Sequence, residues 1–326
     1  MSAYDISSNE LNKAYQVDGT ELASVFDIDG VEYPFEHQIP VLFSDIPEWY
    51  QNDVVNALAY VNGLGDGYVN YIVMTDTHYA DAYPNAPKVF NYLYQEGRFD
   101  KLIHLGDLIA NGKFGSANWN SLIDRDFFHF KEWLFAQGNH DTGLSVDLAE
   151  ALTYFETTEN IRYTVSASHN MYYYDNPEYK IRIVGAHFYN HMDDKETLEA
   201  YIKAGIKRGY KWMFINHFPL GYMEDNKSEN ATWLKNMIET YGNFICHLCG
   251  HWHADNFTQK SSGTKTFWQF VFDADISGIR ETQGENRDQV VSIFSVNPTT
   301  QDMKIYRIGR SAQYEGKSWE FTGFAN

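Results

Sequence analysis

Five short apolar segments of this chain each run into polar residues of the kinds that bind metals, and that recurrence constrains the fold more than any other feature. Tyr68 to Thr75 leads into Asp76-Thr77-His78, and Lys101 to Leu105 into Gly106-Asp107. Glu132 to Ala136 precedes Gly138-Asn139-His140-Asp141, Trp212 to Asn216 precedes His217, and Phe244 to Leu248 precedes Gly250-His251-Trp252-His253. Short apolar runs of this kind read as buried strands. Helical patterns predict helices from Pro47 to Gly63, with Asp45 as N-cap and Trp49, Val54, Val55, Leu58 and Val61 on one side, and at Lys88–Glu96, Ser121–Phe130, Lys195–Ala204 and Ala231–Tyr241. Ile181–Ala186 adds a strand, and the last sixty residues are β-rich, with Thr266–Phe272, Val290–Val296 and Met303–Ile308. A βαβα start closing in consecutive strands predicts an α/β protein whose second sheet pairs against the first.

Ligands bind such sheets at the carboxyl ends of the strands, where the loops part. Asp, Asn and neutral His together offer mixed oxygen and nitrogen donors, suited to Mn, Fe, Zn or similar divalent ions. In Asp76-x-His78 and His251-x-His253, a spacing of two puts both side chains on one face if the backbone stays extended. Each cluster alone is weak evidence; five in order, each after a buried strand, are strong evidence.

The ordered pattern D-x-H, G-D, G-N-H-D, H, G-H-x-H resembles that of the calcineurin-like metallophosphoesterases, over Asp76 to His253 and, by strand pattern, over roughly residues 41–310. The resemblance implies a two-sheet, four-layer α/β/β/α sandwich holding two divalent metal ions. One ion would be held by Asp76, His78 and His253, the other by Asn139, His217 and His251, with Asp107 bridging both. His140 would face the substrate and Asp141 would orient it. The implied reaction is phosphoester hydrolysis by in-line attack of a metal-bridging hydroxide, with cations ~3.5–4 Å apart. Ala110 stands where purple acid phosphatases carry a Tyr ligand, and Gln137 where protein phosphatases carry Arg. What remains resembles the bacterial and phage branch. A phosphodiesterase is expected, with glycerophosphodiesters or teichoic-acid-like polymers as substrates. The alternatives are a cyclic-nucleotide or phosphomonoester hydrolase, or a non-catalytic structural or glycan-binding component of a virion or cell surface.

Asn111, His187 and Tyr222 are candidate substrate contacts from loops near the strand ends, Tyr222 from a polar loop spanning Pro219 to Ser228. His104, His129 and His247 read as core or surface histidines, and Trp252 as a packing residue. Cys246 and Cys249 fall in a buried strand and read as inert thiols. The net charge of −19 argues against binding long nucleic acids, which requires clustered Lys and Arg. No apolar run reaches the ~18 residues of a membrane span and the N-terminus lacks signal-peptide character, so a cytoplasmic or virion-associated protein is expected.

Two domains are expected, an extension at 1–40 and the enzyme domain at 41–326. The extension carries two Asp-Gly turn signals, Asp18-Gly19 and Asp29-Gly30. A covering β-ribbon or an adaptor that docks to a larger assembly would both use them.

Overall fold

The computed structural model describes residues 24–26, 32–34, 41–78, 86–109, 133–141, 161–166, 169–186, 195–273, 290–309 and 317–325. The chain divides into two contact units, Met1–Pro40 and Val41–Asn326. In the first, β1 (Ser24–Phe26) and β2 (Glu32–Pro34) pair antiparallel with Val25 opposite Tyr33, while Asp18-Gly19 and Asp29-Gly30 lie outside the described residues.

The larger unit is built on two sheets. Sheet one has the order β15-β14-β13-β3-β4-β5, comprising Ser318–Thr322, Asp302–Ile308, Val291–Asn297, Val69–Met74, Lys101–His104 and Trp133–Phe135. Sheet two runs β11-β12-β10-β9-β8-β7-β6, comprising Asn256–Ser262, Lys265–Val271, Phe244–Cys249, Lys211–Ile215, Ile181–Ala186, His169–Asn176 and Ile161–Ser166. In sheet one β3, β4 and β5 are parallel at one end and β13, β14 and β15 continue it antiparallel; in sheet two the central strands β12, β10, β9 and β8 are parallel and the flanking strands antiparallel. β3, β4, β8 and β10 are buried along their whole length, the pattern of strands covered on both faces.

Three apolar clusters define the layers. Between the sheets lie Tyr71, Val73, Ile103, Leu134, Ile183, Ile215, Leu248, Phe270 and Phe294. Over sheet one, α1 (Glu48–Gly63) and α2 (Ala86–Glu96) cover Ile72, Leu102 and Ile293. The buried face of α1 is Tyr50, Val54, Ala57 and Val61, each about one turn after the last. Over sheet two, α3 (Lys195–Lys207), α4 (Leu220–Asn226) and α5 (Ser228–Tyr241) cover Val184, Trp212 and Phe214. The result is a four-layer α/β/β/α sandwich. No described helix is long and apolar enough to cross a membrane.

Several local expectations are corrected. Pro47, with its fixed φ, precedes α1 directly; Asp45 instead ends a short 3-10 turn, where its carboxylate accepts the Leu42 amide at 2.9 Å. Val55 lies outside the buried stripe of α1 and is 54% exposed. The stretch after Pro219 is helix α4 rather than a loop, because Leu220 and Met223 bury against sheet two. The expected helix at Ser121–Phe130 lies outside the described residues. Cys246 and Cys249 are free, buried thiols that burial pushes well above their ordinary pKa, consistent with inert core residues.

Candidate metal centre

Sheet one delivers Asp76 and His78 after β3, Asp107 after β4, and Asn139 and His140 after β5. Sheet two delivers His217 after β9, and His251 and His253 after β10. Among the described residues, ligand-type atoms gather into three groups, each within 4.8 Å: Asp76, His78 and His253; Asp107, His217 and His251; and His78, Asp107 and His140. His253 Nε2 is 3.1 Å from Asp76 Oδ1, and His217 Nε2 is 3.2 Å from Asp107 Oδ2. His140 lies at the mouth, its side chain 37% exposed and its Nε2 4.0 Å from Asp107 Oδ2.

The convergence does not come from extended backbone, as the two-residue spacing suggested. Asp76, His78, Asp107, His251 and His253 all have left-handed φ, between 45° and 72°. A non-glycine residue there costs on the order of 1–3 kcal/mol, and the surrounding structure must hold it in place. Close approach of neighbouring loops, within sheet one and between the sheets, does part of this. A Cβ on Gly138 would fall 2.3 Å from the Asp107 amide nitrogen, and one on Gly250 2.0 Å from Thr75 Oγ1.

Polar contacts fix individual side chains. Asp76 Oδ2 accepts from the Thr75 hydroxyl at 2.6 Å and from the His251 amide at 3.0 Å. Asp107 Oδ1 accepts the His140 amide at 2.7 Å. His217 Nδ1 lies 2.8 Å from the Leu105 carbonyl, which can only accept. Nδ1 therefore carries a proton, and in the neutral ring Nε2 presents its lone pair to the centre.

Three atoms then stand out. Asp76 Oδ1, Asn139 Oδ1 and His217 Nε2 are buried without hydrogen-bond partners. In addition, His78 Nε2 faces His253 Nε2 at 3.2 Å, a pairing of two nitrogens that a shared cation would relieve. Leaving polar groups unmatched is costly unless something else satisfies them, so the donor set fits divalent cations. The clustered carboxylates and imidazoles set the electrostatics of the centre. Burial opposes ionisation of Asp76, but His217, His253 and the Thr75 hydroxyl hold its carboxyl well below the ordinary value. Burial also opposes protonation of His217, yet Asp76 and Asp107 push it up to about 9. His251 is lowered to about 4 by burial and by His217.

Asp141 joins two of these loops. Its carboxylate accepts the backbone amides of Ile109 at 3.2 Å and Gly138 at 2.9 Å, tying the loop after β4 to the loop after β5. It is positioned to order the loops that carry Asp107 and Asn139. Tyr222 packs edge-on to His251 (centroids 4.4 Å) and stacks on Phe218 (4.9 Å), so it walls a candidate ligand. Trp252 is 39% exposed, its ring edge 3.6 Å from where a Gly221 Cβ would sit. Asn111 and His187 lie outside the described residues. His104 behaves as a core histidine: Nδ1 accepts the Gly106 amide (3.2 Å), which leaves Nε2 to donate to Thr77 Oγ1 (3.3 Å). His247 is fully buried beside Asn216. Sequence reasoning missed Thr75, the Leu105 carbonyl and the Phe218 ring; only Thr75, adjacent to a ligand-type Asp, left a trace in the pattern.

Comparison with known proteins agrees with this geometry. The backbone is similar to the crystal structure of a dimetal phosphatase from Danio rerio, with a TM-score of 0.54 at 12% identity, covering 78% of this chain and 98% of that one. It is more remotely similar to vacuolar protein sorting 29 from Cryptosporidium parvum, with a TM-score of 0.39 at 9% identity, covering 79% and 100%. Only the first is near enough to support the fold. Comparison with curated protein sequences gives no match. The sequence profile of the calcineurin-like phosphoesterases matches residues 69–255, the span from β3 to just past His253. With that profile covering more than half of its length, this chain belongs to the calcineurin-like phosphoesterase family and is a metal-dependent phosphohydrolase.

Proposed function

We propose that the enzyme is a phosphodiesterase, with glycerophosphodiesters or teichoic-acid-like polymers as substrates. The observation that carries this reading is the charge around the centre. The described loops 75–78, 105–109, 136–141, 216–219 and 250–254 contain no Lys or Arg. A phosphomonoester is a dianion near neutral pH and calls for cations beyond the metals; a diester carries one charge. The overall charge of −19 disfavours the dianion further.

In this reading Asp76, His78 and His253 hold one metal, Asn139, His217 and His251 the other, and Asp107 lies between them. When bound, such a pair activates water and neutralises the phosphoryl oxygens. His140, exposed at the mouth beside Asp107, stabilises the transition state or supplies the proton to the departing alkoxide. Trp252 offers an exposed aromatic face to a sugar or other ring on the leaving group. Residues 1–40 are read as a docking extension, supported by their separate contact unit and the pairing of β1 with β2.

The test is hydrolysis of bis(p-nitrophenyl) phosphate against p-nitrophenyl phosphate by chelator-stripped protein with Mn²⁺ restored. Diester turnover that exceeds monoester turnover and is lost in His140→Ala is expected. A monoester preference would overturn the diester reading.

A further inference from the structure

The loop that carries His251 and His253 has an anchor outside the metal centre. Arg307, on β14, lies opposite Ser292 of β13, which in turn lies opposite Val73 of β3. Paired residues point to the same face, and Val73 faces the space between the sheets, so Arg307 does too. Its guanidinium is fully buried and donates from Nη2 to Asp255 Oδ1. Asp255 is two residues beyond His253, and the same oxygen accepts the Asp273 amide, just past β12, at 3.0 Å. One carboxylate thus joins the ligand loop, the end of β12 and a strand of the opposite sheet.

Two further observations point to a purpose other than stability. Arg307 Nε and Nη1 and Asp255 Oδ2 are buried without hydrogen-bond partners. A buried ion pair with unmatched donors gives up hydration that it does not regain. Meanwhile the loop holds left-handed backbone at both His251 and His253. Upstream it is fixed by the Gly250 amide on the His217 carbonyl and by the His251 amide on Asp76, both at 3.0 Å. Downstream it is fixed by Asp255.

We propose that Arg307 and Asp255 are positioning residues that strap the ligand loop to the opposite sheet and so set the place of His253. This rests on His253 being a ligand to one of two metals. The test uses Arg307→Lys and Asp255→Asn beside the wild type, each first checked for fold by far-UV circular dichroism. Chelator-stripped proteins are titrated with Mn²⁺ by calorimetry and followed by electron paramagnetic resonance, with the melting temperature of the metal-free form recorded. The wild type is expected to bind two ions and show a coupled dinuclear spectrum. In the variants one ion should bind as in the wild type and the other about 10–100-fold more weakly, so that one equivalent gives an isolated-ion spectrum. If Arg307→Lys does not fold, Asp255→Asn, which keeps the side-chain shape, gives the same reading. Variants that bind both ions normally, or lose both together, overturn the strap alone. A wild type that binds fewer than two ions overturns the two-metal reading and the strap with it.

Discussion

Two buried charged clusters in this protein are built on opposite principles. Beneath α3, on the outer side of sheet two, Asp175 receives both Nε and Nη2 of Arg182 (2.6 and 2.7 Å) and Nη1 of Arg208 (2.8 Å). Arg182 donates its remaining Nη1 to the Tyr201 carbonyl and lies 3.9 Å from the Tyr173 ring centre. That cluster is complete from the chain's own atoms. At the carboxyl edge of the sheets, Asp76, Asn139 and His217 each keep a buried atom unmatched. Burial of charge is tolerated where partners satisfy it, and the second cluster leaves ligand-type atoms that bound cations would satisfy. The unmatched atoms of the second cluster also sit among converging Asp and His ligand atoms, which those of the Arg307–Asp255 pair do not, and the two features together mark it as the reactive one.

The largest expected effect sharpens that contrast from the reactive side. Asp107→Ala removes the carboxylate closest to His217 and should lower metal-supported turnover by on the order of 10³-fold. The same variant should lose the Mn²⁺-induced rise in melting temperature, which for the wild type at 100 times Kd corresponds to about 2.7 kcal/mol per site. Asp175→Ala is the mirror experiment. It leaves Arg182 buried and unpaired, and should cost about 3–5 kcal/mol in denaturant unfolding with Mn²⁺ affinity unchanged in the folded protein. A large loss of Mn²⁺ affinity there would break the separation between the clusters.

A smaller effect concerns pH. Burial lowers His247 to about 3, below the ordinary value near 6.5 for an exposed imidazole. Between those values the unfolded chain binds a proton that the folded chain refuses, so stability rises with pH across that window and falls on acidification. His247→Gln should flatten the dependence of the melting temperature on pH from about 6.5 down to about 3; an unchanged slope would assign the acid limb to other groups. The smallest effect is expected at the rim. Trp252→Ala should raise KM about 2–10-fold for diesters with a ring on the leaving group, with kcat little changed. Equal effects on methyl and aryl diesters would remove Trp252 from substrate recognition.

Much of this was legible in the sequence, for definable reasons. Strands such as Ile181–Ala186 and Phe244–Cys249 are uninterrupted apolar runs, and burial on both faces needs little else. The residues now gathered at the centre announced themselves by type and by position after those runs. What was hidden depends on tertiary context. The hairpin of β6 and β7 mixes Tyr, Asn and His, and its pairing partners rather than its composition make it a sheet. Left-handed backbone at Asp76, His78, Asp107, His251 and His253 cannot be read from non-glycine residues, so spacing suggested the right neighbours for the wrong geometric reason. Asp141 grips amides of two loops, one of them 32 residues away, and Arg307 reaches Asp255 across 52 residues. No local pattern encodes contacts of that range.

The most direct test of the account is anomalous diffraction from crystals of the protein grown with Mn²⁺. The account predicts two peaks at the carboxyl edge of the sheets, one bounded by Asp76, His78 and His253, the other by Asn139, His217 and His251, with Asp107 between them. A single peak, or ions bound away from Asp76 Oδ1 and His217 Nε2, would contradict it.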